Sequence, residues 1–427
     1  MTENEKPSER GTELAAEEVR PTAVLCGIDT GEFDIDRSMD ELESLADTAG
    51  ADTVAHFVQK SRTFDPAICV GRGKLEEIAD FCRANDIDMI IFNHELTGSQ
   101  MRNIEDATDA VVIDRTMLIL DIFAQRARSA EGRLQVELAQ LKYRLPRLGG
   151  MGKALSRQGG GIGSRGPGEA KLETDRRYIR HRIQKLENKL AALTEQRKQR
   201  RERRKKDSVT TVAIVGYTNV GKSTLLNTLT DAGVLAENML FATLDPTARA
   251  LELPDGREVM LIDTVGLVSR LPHNLVEAFK STLEEAASAD LILTVCDISS
   301  TEAAEQIRIT REIIDELGGG SIPMITVANK YDKRCSDDVL IGEKPVYISA
   351  KSGYGTDELL QRIAGALKKT QTRVKMLVPY GKAGILNTVR IKGKVFSEEY
   401  GENGISADAL VDITIMDKVR DFVTNID

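Results

Sequence analysis

The sequence predicts a multidomain α/β protein: an N-terminal α/β domain, a helical hairpin, a doubly wound α/β domain and a small α+β C-terminal domain. Three observations predict it. Short apolar strands alternate with amphipathic helices in two separate stretches, 21–126 and 208–371. Between them, two apolar stripes at helical spacing flank a glycine-rich loop. In the second α/β stretch a glycine-bearing turn, Gly216 to Ser223, joins a strand directly to a helix. With 427 residues, 41 % apolar and 29 % charged, the chain is long enough for several cores.

Composition excludes several classes. No apolar run reaches 18 residues, so no transmembrane helix is predicted. Met1 to Pro21 carries several charges and no apolar core, which predicts no secretory leader and an acidic, disordered tail over 1–20. The five cysteines (Cys26, Cys69, Cys82, Cys296, Cys335) are odd in number and form no CxxC, which argues against a disulfide framework or zinc site. A reducing cytoplasm suits them. No tryptophan and 4 % aromatics disfavour base-stacking platforms.

The N-terminal domain, 21–126, begins with a strand at Thr22–Ile28. A helix at Ser38–Gly50 follows, with Leu42, Leu45 and Ala46 on one face. Gly73–Asn85 reads as a second helix, Met89–Phe92 and Val111–Ile113 as strands, and Arg115–Arg128 as a helix.

Over 127–207, Leu134, Leu138, Leu141 and Leu145 recur at helical spacing and stop at Pro146. A second stripe comprises Ile179, Ile183, Leu186, Leu190 and Leu193. Two such stripes around one loop predict an antiparallel hairpin. The loop, Ser156 to Gly168, contains six glycines, Pro167, Arg157 and Arg165, which cannot build a core. Net charge is −9, but Met151 to Lys206 holds 18 Lys and Arg against 6 Asp and Glu. Charge alone leaves a solvated helix or linker and a phosphate-contacting surface both open.

In 208–371 the predicted strands are Thr211–Val215, Leu251–Leu253, Val259–Ile262, Leu291–Cys296, Ile325–Ala328 and Val346–Ile348, with Pro254-Asp255-Gly256 turning a hairpin. Beyond it, 372–427 offers strands at Met376–Val378 and Lys394–Ser397 and a helix at Ala383–Val389.

Gly216-Tyr217-Thr218-Asn219-Val220-Gly221-Lys222-Ser223 fits GxxxxGK[ST] between strand and helix. Its amides and the helix N-terminus suit a phosphate chain, Lys222 the outer phosphates, and Ser223 a Mg²⁺ ion. Asp263-Thr264-Val265-Gly266 ends the next apolar strand; the carboxylate suits Mg²⁺ through water, and the Gly266 amide suits the terminal phosphate. Asn329-Lys330-Tyr331-Asp332 follows a later strand, where Asp332 accepts from the paired N–H groups of guanine that adenine lacks. Ser349-Ala350-Lys351 offers a backbone amide to guanine O6. Between these elements lies Phe241-Ala242-Thr243-Leu244-Asp245-Pro246-Thr247, at the position of a switch loop; Thr243 and Thr247 both qualify as a second Mg²⁺ ligand. The substrate predicted is GTP, with GDP as product.

These strings carry a resemblance. GYTNVGKSTLLN at 216–227, FATLDPT at 241–247, DTVGL at 263–267, LPHNLVEAFKSTLEE at 271–285 and NKYD at 329–332 resemble the Obg–HflX branch of P-loop GTPases. VGRGK at 70–74, QVELAQLKYRLPRL at 135–148 and GGGIGSRGPGE at 159–169 narrow it to the HflX family, over about 21–427. The resemblance implies a ribosome-associated GTPase that binds the large subunit and splits stalled or idle 70S ribosomes. Its hairpin loop, around Arg157 and Arg165, then faces ribosomal RNA. It also assigns the Mg²⁺-binding switch threonine to Thr243, with Lys222, Thr243 and Gly266 serving hydrolysis and Phe241 to Asp245 covering the nucleotide.

Leu267 stands where Ras-type enzymes carry the water-orienting glutamine. Slow intrinsic hydrolysis, stimulated by a partner, is the expectation; His273 is a weaker candidate for a role there than for a structural one. The rival readings are a GTPase acting on large-subunit precursors and an RNA-binding regulator with a structural nucleotide. Gly71-Arg72-Gly73-Lys74 lacks the spacing of a second P-loop, so no ATP site is legible in 1–207. No membrane insertion and a monomer are expected.

Overall fold

The computed structural model describes residues 20–148, 167–206, 209–230, 241, 247–264, 266–267, 283–333, 344–367 and 371–426. The chain divides into two compact units at Leu118/Ile119.

The first unit holds β1 (Thr22–Asp29), α1 (Ile35–Ala49), β2 (Asp52–Lys60), α2 (Arg72–Ala84), β3 (Met89–Phe92), α3 (Gly98–Thr108) and β4 (Val111–Asp114). The strands form a sheet in the order β2-β1-β3-β4, with every pair parallel. Leu42, Leu45 and Ala46 of α1 are fully buried, as their spacing predicts. Asp34 caps α1 by accepting from the Arg37 amide, and Gly50, at φ 87°, closes it in a left-handed turn. Two elements are additions to the sequence reading, β2 and α3. The apolar residues of α3 are few, and its start is set by a capping box between Thr97 and Gln100.

α4 (Arg115–Arg126) follows β4 and leads into α5 (Ala130–Arg147), capped by Ser129; α6 (Pro167–Lys206) is a 40-residue helix. Glu131, at the start of α5, pairs with Arg197, whereas Glu137 and Lys142 further along α5 pair with the earlier α6 residues Arg182 and Glu187, so α5 and α6 are antiparallel. On α6 the expected stripe is the packed face: Leu186 is buried and Ile179, Ile183, Leu190 and Leu193 are half-buried. On α5 the expected leucines, Leu134, Leu138, Leu141 and Leu145, are only half-buried. The buried line is instead Gly132, Gln135, Val136, Ala139 and Tyr143. The leucines lie about one helical step from that line, so α5 packs over a broader face than a single seam requires. Gln140 also reaches Asp121 of α4. α5 runs through Pro146 rather than ending before the proline, and stops one residue later at Arg147. Of the glycine-rich loop expected over Ser156 to Gly168, residues 156–166, with Arg157 and Arg165, lie outside the described residues, whereas Pro167 and Gly168 already belong to α6.

The largest sheet contains β5 (Thr211–Gly216), β6 (Thr247–Glu252), β7 (Glu258–Asp263), β8 (Leu291–Asp297), β9 (Met324–Asn329) and β10 (Val346–Tyr347), in the order β10-β9-β8-β5-β7-β6. All neighbours are parallel except β6–β7, the predicted hairpin. α7 (Lys222–Thr230), α8 (Ala303–Glu316) and α9 (Thr356–Ala366) belong to this α/β region. Arg257, next to the hairpin turn, is buried; it pairs with Asp255 and donates to the Ala364 carbonyl on α9.

The C-terminal sheet contains β11 (Gln371–Val378), β12 (Gly393–Gly401), β13 (Gly404–Asp412) and β14 (Val423–Ile426), antiparallel in the order β12-β13-β11-β14. α10 (Gly384–Lys392) and α11 (Ile413–Val419) accompany it. Lys394 on β12 pairs with Glu252 on β6 at 2.8 Å. A Cβ on Gly256 would fall 2.7 Å from the Phe396 ring, so that ring rests directly on the hairpin turn.

Among the described residues no helix is long and apolar enough to cross a membrane. Cys26, Cys69, Cys82 and Cys296 are free and buried. Burial pushes the Cys69 and Cys296 thiols up to about 12.

Candidate active site

The site lies at the carboxyl ends of β5, β7, β9 and β10, where open parallel sheets place ligands. Its first part is the turn from β5 into α7. Gly216 has φ 151°, and a Cβ there would sit 2.2 Å from the Val295 carbonyl oxygen. Gly221 has φ 92°, and a Cβ there would sit 2.3 Å from Asn329 Nδ2. Asn219 between them also takes a left-handed conformation, φ 59°. The motif's glycines thus leave space that any side chain would fill. Tyr217 and Val220 are buried in the core cluster of this region.

Lys222 is 6 % exposed, and its Nζ donates to the Tyr217 carbonyl at 2.7 Å. Burial lowers its pKa to about 8, with Asp263 opposing the shift. Ser223 Oγ donates to Asp263 Oδ2 at 2.8 Å. The Thr218 amide donates to Leu267 O at 2.7 Å, and the Leu267 amide to Gly216 O at 3.1 Å. These bonds clip the loop after β7 onto the phosphate turn. Gly266 lies so close that a Cβ would approach Thr218 Cγ2 at 2.7 Å and Lys222 Nζ at 3.0 Å. Thr264 is fully buried, and its hydroxyl donates to the Ile214 carbonyl at 2.7 Å. Its side chain therefore faces the sheet. Leu267 is buried in the core, with no polar group to offer a water molecule.

The second part joins β9 to the loop after β10. Asn329 donates through Nδ2 to Val220 O at 2.7 Å and accepts at Oδ1 from the Ala350 amide at 2.9 Å. The Ser349 amide donates to Tyr354 O, and Ser349 Oγ to Asp332 Oδ1 at 2.7 Å. That last bond, first among several causes, holds the Asp332 carboxyl below its usual range; Lys351 contributes more weakly. Lys330, at φ 62°, pairs with Asp297 at 2.8 Å. Tyr331 stacks on Tyr354 with ring centroids 5.4 Å apart and planes 6° from parallel.

Three supporting residues were not singled out from the sequence. They are Asp297 under Lys330, Tyr354 on Tyr331, and Thr228, whose hydroxyl donates to Ala350 O at 2.6 Å. Asp297 had a legible signal, an acid closing an apolar strand of a parallel sheet; the other two had none. Phe241 is buried at 2 % exposure. Ala242, Thr243, Leu244, Asp245, Val265 and His273 lie outside the described residues.

The donor set suits a magnesium–phosphate group. A hydroxyl and a carboxylate, both hard oxygen donors, meet beside a glycine cradle and a buried ammonium. Among the described residues no cluster of three or more His, Cys, Asp or Glu side chains could hold a metal. A Mg²⁺ site that draws most of its ligands from phosphate and water needs none.

Fold and site together define a P-loop GTPase. Three family models cover most of the chain: "GTP-binding GTPase N-terminal" at residues 36–124, "GTP-binding GTPase Middle Region" at 126–204 and "50S ribosome-binding GTPase" at 211–330. The chain belongs to the HflX family of GTPases. It is 51 % identical to GTPase HflX of Caldanaerobacter subterraneus, over 96 % of this chain and 95 % of that protein. It is 40 % identical to GTPase HflX of Escherichia coli, over 90 % and 92 %. A crystal structure of a GTP-binding protein from Sulfolobus solfataricus with GDP aligns over 81 % of this chain and 98 % of that one, at 24 % identity and a TM-score of 0.46.

Proposed function

We propose that this GTPase binds the large ribosomal subunit and dissociates stalled or idle 70S ribosomes, and that GTP hydrolysis releases it. The observation that carries the reading is the hairpin. α6 spans 40 residues, roughly 60 Å by helical rise, and carries Arg177, Arg180, Lys185 and Lys189 on exposed positions. A basic helix of that length, leading from a loop with Arg157 and Arg165, suits ribosomal RNA. The working parts are 21–126, the hairpin 127–207, the GTPase domain 208–371 and the C-terminal domain 372–427.

The phosphates lie along the amides of Gly216 to Ser223, with Lys222 on the outer oxygens. Ser223 and Thr243 would hold Mg²⁺, which would supply charge neutralisation on the phosphates; Asp263 orients the Ser223 hydroxyl. Bound phosphate favours the Lys222 ammonium and so opposes the effect of burial. The Gly266 amide donates to the terminal phosphate. Asp332, pre-aligned by Ser349, reads the guanine edge. The amides of Ser349 and Ala350 already have acceptors, so Lys351 supplies the one for guanine O6. Leu267 cannot orient water, so hydrolysis is slow until the ribosome completes the site. The protein acts in the cytoplasm, as a monomer.

GTP turnover with and without purified large subunits, alongside light scattering of 70S ribosomes, tests this. Stimulated turnover and a GTP-dependent fall in scattering are expected. Stimulation by precursor particles alone, with 70S intact, would favour a role in assembly. No ribosomal effect would overturn the proposal.

A further inference from the structure

We propose that Tyr354 is a positioning residue for guanine selectivity, acting on Asp332 through Tyr331 and Ser349. The inference rests on the reading of Asp332 as the contact to the guanine edge. Tyr354 is 57 % exposed, yet its ring stacks on that of Tyr331, with centroids 5.4 Å apart and planes 6° from parallel. Parallel rings at that separation are offset, an arrangement aromatic pairs favour. Tyr331 immediately precedes Asp332 in the chain, and Tyr347 packs on it at 5.5 Å, tilted by 52°.

The backbone of Tyr354 makes a second tie. Its carbonyl accepts from the Ser349 amide at 3.0 Å, and the two residues form an antiparallel bridge closing the turn that carries Ala350 and Lys351. Gly353 and Gly355 flank Tyr354 with φ 78° and 74°. A Cβ on Gly355 would lie 2.2 Å from the Tyr347 carbonyl oxygen, so the close turn fixes where the Tyr354 ring leaves the backbone. Ser349 Oγ in turn donates to Asp332 Oδ1 at 2.7 Å. One residue thus braces the Asp332 carboxylate twice, by its ring through Tyr331 and by its backbone through Ser349.

The neighbouring parts of the base site are held by other ties. Ala350 donates to Asn329 and accepts from Thr228, and Lys330 pairs with Asp297. Loss of the Tyr354 ring leaves those contacts in place and falls on the alignment of Asp332. A carboxylate that accepts two N–H bonds from one base edge loses them steeply on misalignment. Inosine lacks the exocyclic amino group of guanine and makes one of the two bonds, so it depends less on that alignment.

The experiment uses the full chain and measures affinities for GDP and inosine diphosphate by competition, with the melting temperature alongside. The variants are Tyr354→Ala, Tyr354→Phe and Asp332→Ala. For Tyr354→Ala, affinity for inosine diphosphate stays within about twofold while the preference for GDP over it falls about three- to tenfold, the range one aromatic pair supplies. Tyr354→Phe keeps the stack and restores the preference. Should Tyr354→Ala fail to fold, Tyr354→Leu decides, with the same loss of preference expected. Equal losses for the two nucleotides, an unchanged preference or a Tyr354→Phe variant as poor as Tyr354→Ala would overturn the proposal. Asp332→Ala should bring the preference close to unity. If it does so while Tyr354→Ala keeps the wild-type preference, the proposal alone falls. If Asp332→Ala keeps the preference, the underlying reading falls and the proposal with it.

Discussion

Asn329 holds Val220 of the phosphate loop and Ala350 of the loop after β10 at the same time, through the two ends of one buried amide, at 2.7 and 2.9 Å. The phosphate and base halves of the site are therefore one hydrogen-bonded unit. Asn329→Ala leaves a buried carbonyl and a buried amide without this partner, at about 1–3 kcal/mol each. GTP and GDP affinities should fall together, roughly 10- to 100-fold. Calorimetric titration checks this; a loss confined to one nucleotide would contradict it.

Lys222 gives a pH signature. Its folded pKa, lowered to about 8 by burial, lies below the unfolded value of about 10.4. Between these values the unfolded chain binds more protons than the folded one, so stability without nucleotide rises with pH across that window. The full rise is on the order of 3 kcal/mol. Below about pH 8 both states are protonated and this contribution is flat. Thermal melts of wild type and Lys222→Met from pH 7 to 10 should diverge in slope, and parallel slopes would refute the assignment. Nucleotide phosphates favour the ammonium, so GTP binding at pH 9 should take up a proton, visible as a buffer-dependent enthalpy.

The proposed role of Asp332 as the reader of the guanine edge is open to a direct test. Replacing it with asparagine exchanges one acceptor oxygen for a donor NH₂, which faces the guanine N–H pair wrongly. GTP affinity should drop at least about 100-fold, because a site built for a hydrogen bond rejects the mismatch strongly. Xanthosine triphosphate presents a carbonyl in place of guanine's amino group and should gain. Competition against labelled GDP measures both, and unchanged GTP preference would rule out Asp332 as the base reader.

Leu186 is the buried centre of the α6 stripe, at 1 % exposure. Leu186→Ala should cost the hairpin about 2–3 kcal/mol, the lower part of the range for buried leucines. Hydrogen exchange should quicken in α5 and α6 while β5, β8 and β9 keep their protection. Uniform loss across the sheet would show that the hairpin is not a separately packed element.

The same contrast explains what the sequence revealed. β5, β8 and β9 are buried on both faces, so they read as continuous apolar runs. The phosphate motif was legible because close backbone approach demands glycine at Gly216 and Gly221. β2 was hidden because it is an edge strand without a fully buried residue: Val54 and Val58 fall on its exposed face while Thr53 and Gln59 take inward positions, so apolar and polar residues do not alternate cleanly. β13 was hidden because its inward positions include the small Ala407 and Ala409. The α5 packing face was misread because leucine at helical spacing outweighs glycine, alanine and glutamine in any apolar count. In the site, motif residues were legible individually, whereas their ties were not. The engagement of Thr264 with Ile214 and of Asn329 with Ala350 depends on strands far apart in sequence.

The burial of Cys26, Cys69, Cys82 and Cys296 has a practical consequence for optical work. Thiolates are the species that maleimides capture, and these thiols are both covered and held well above neutral pH in their ionisation. With Cys335 changed to serine, a single cysteine placed at exposed Tyr178 on α6 would be the site a fluorophore finds in the folded chain. A dye there would report the hairpin's encounter with its partner in real time, against a background the native fold keeps dark.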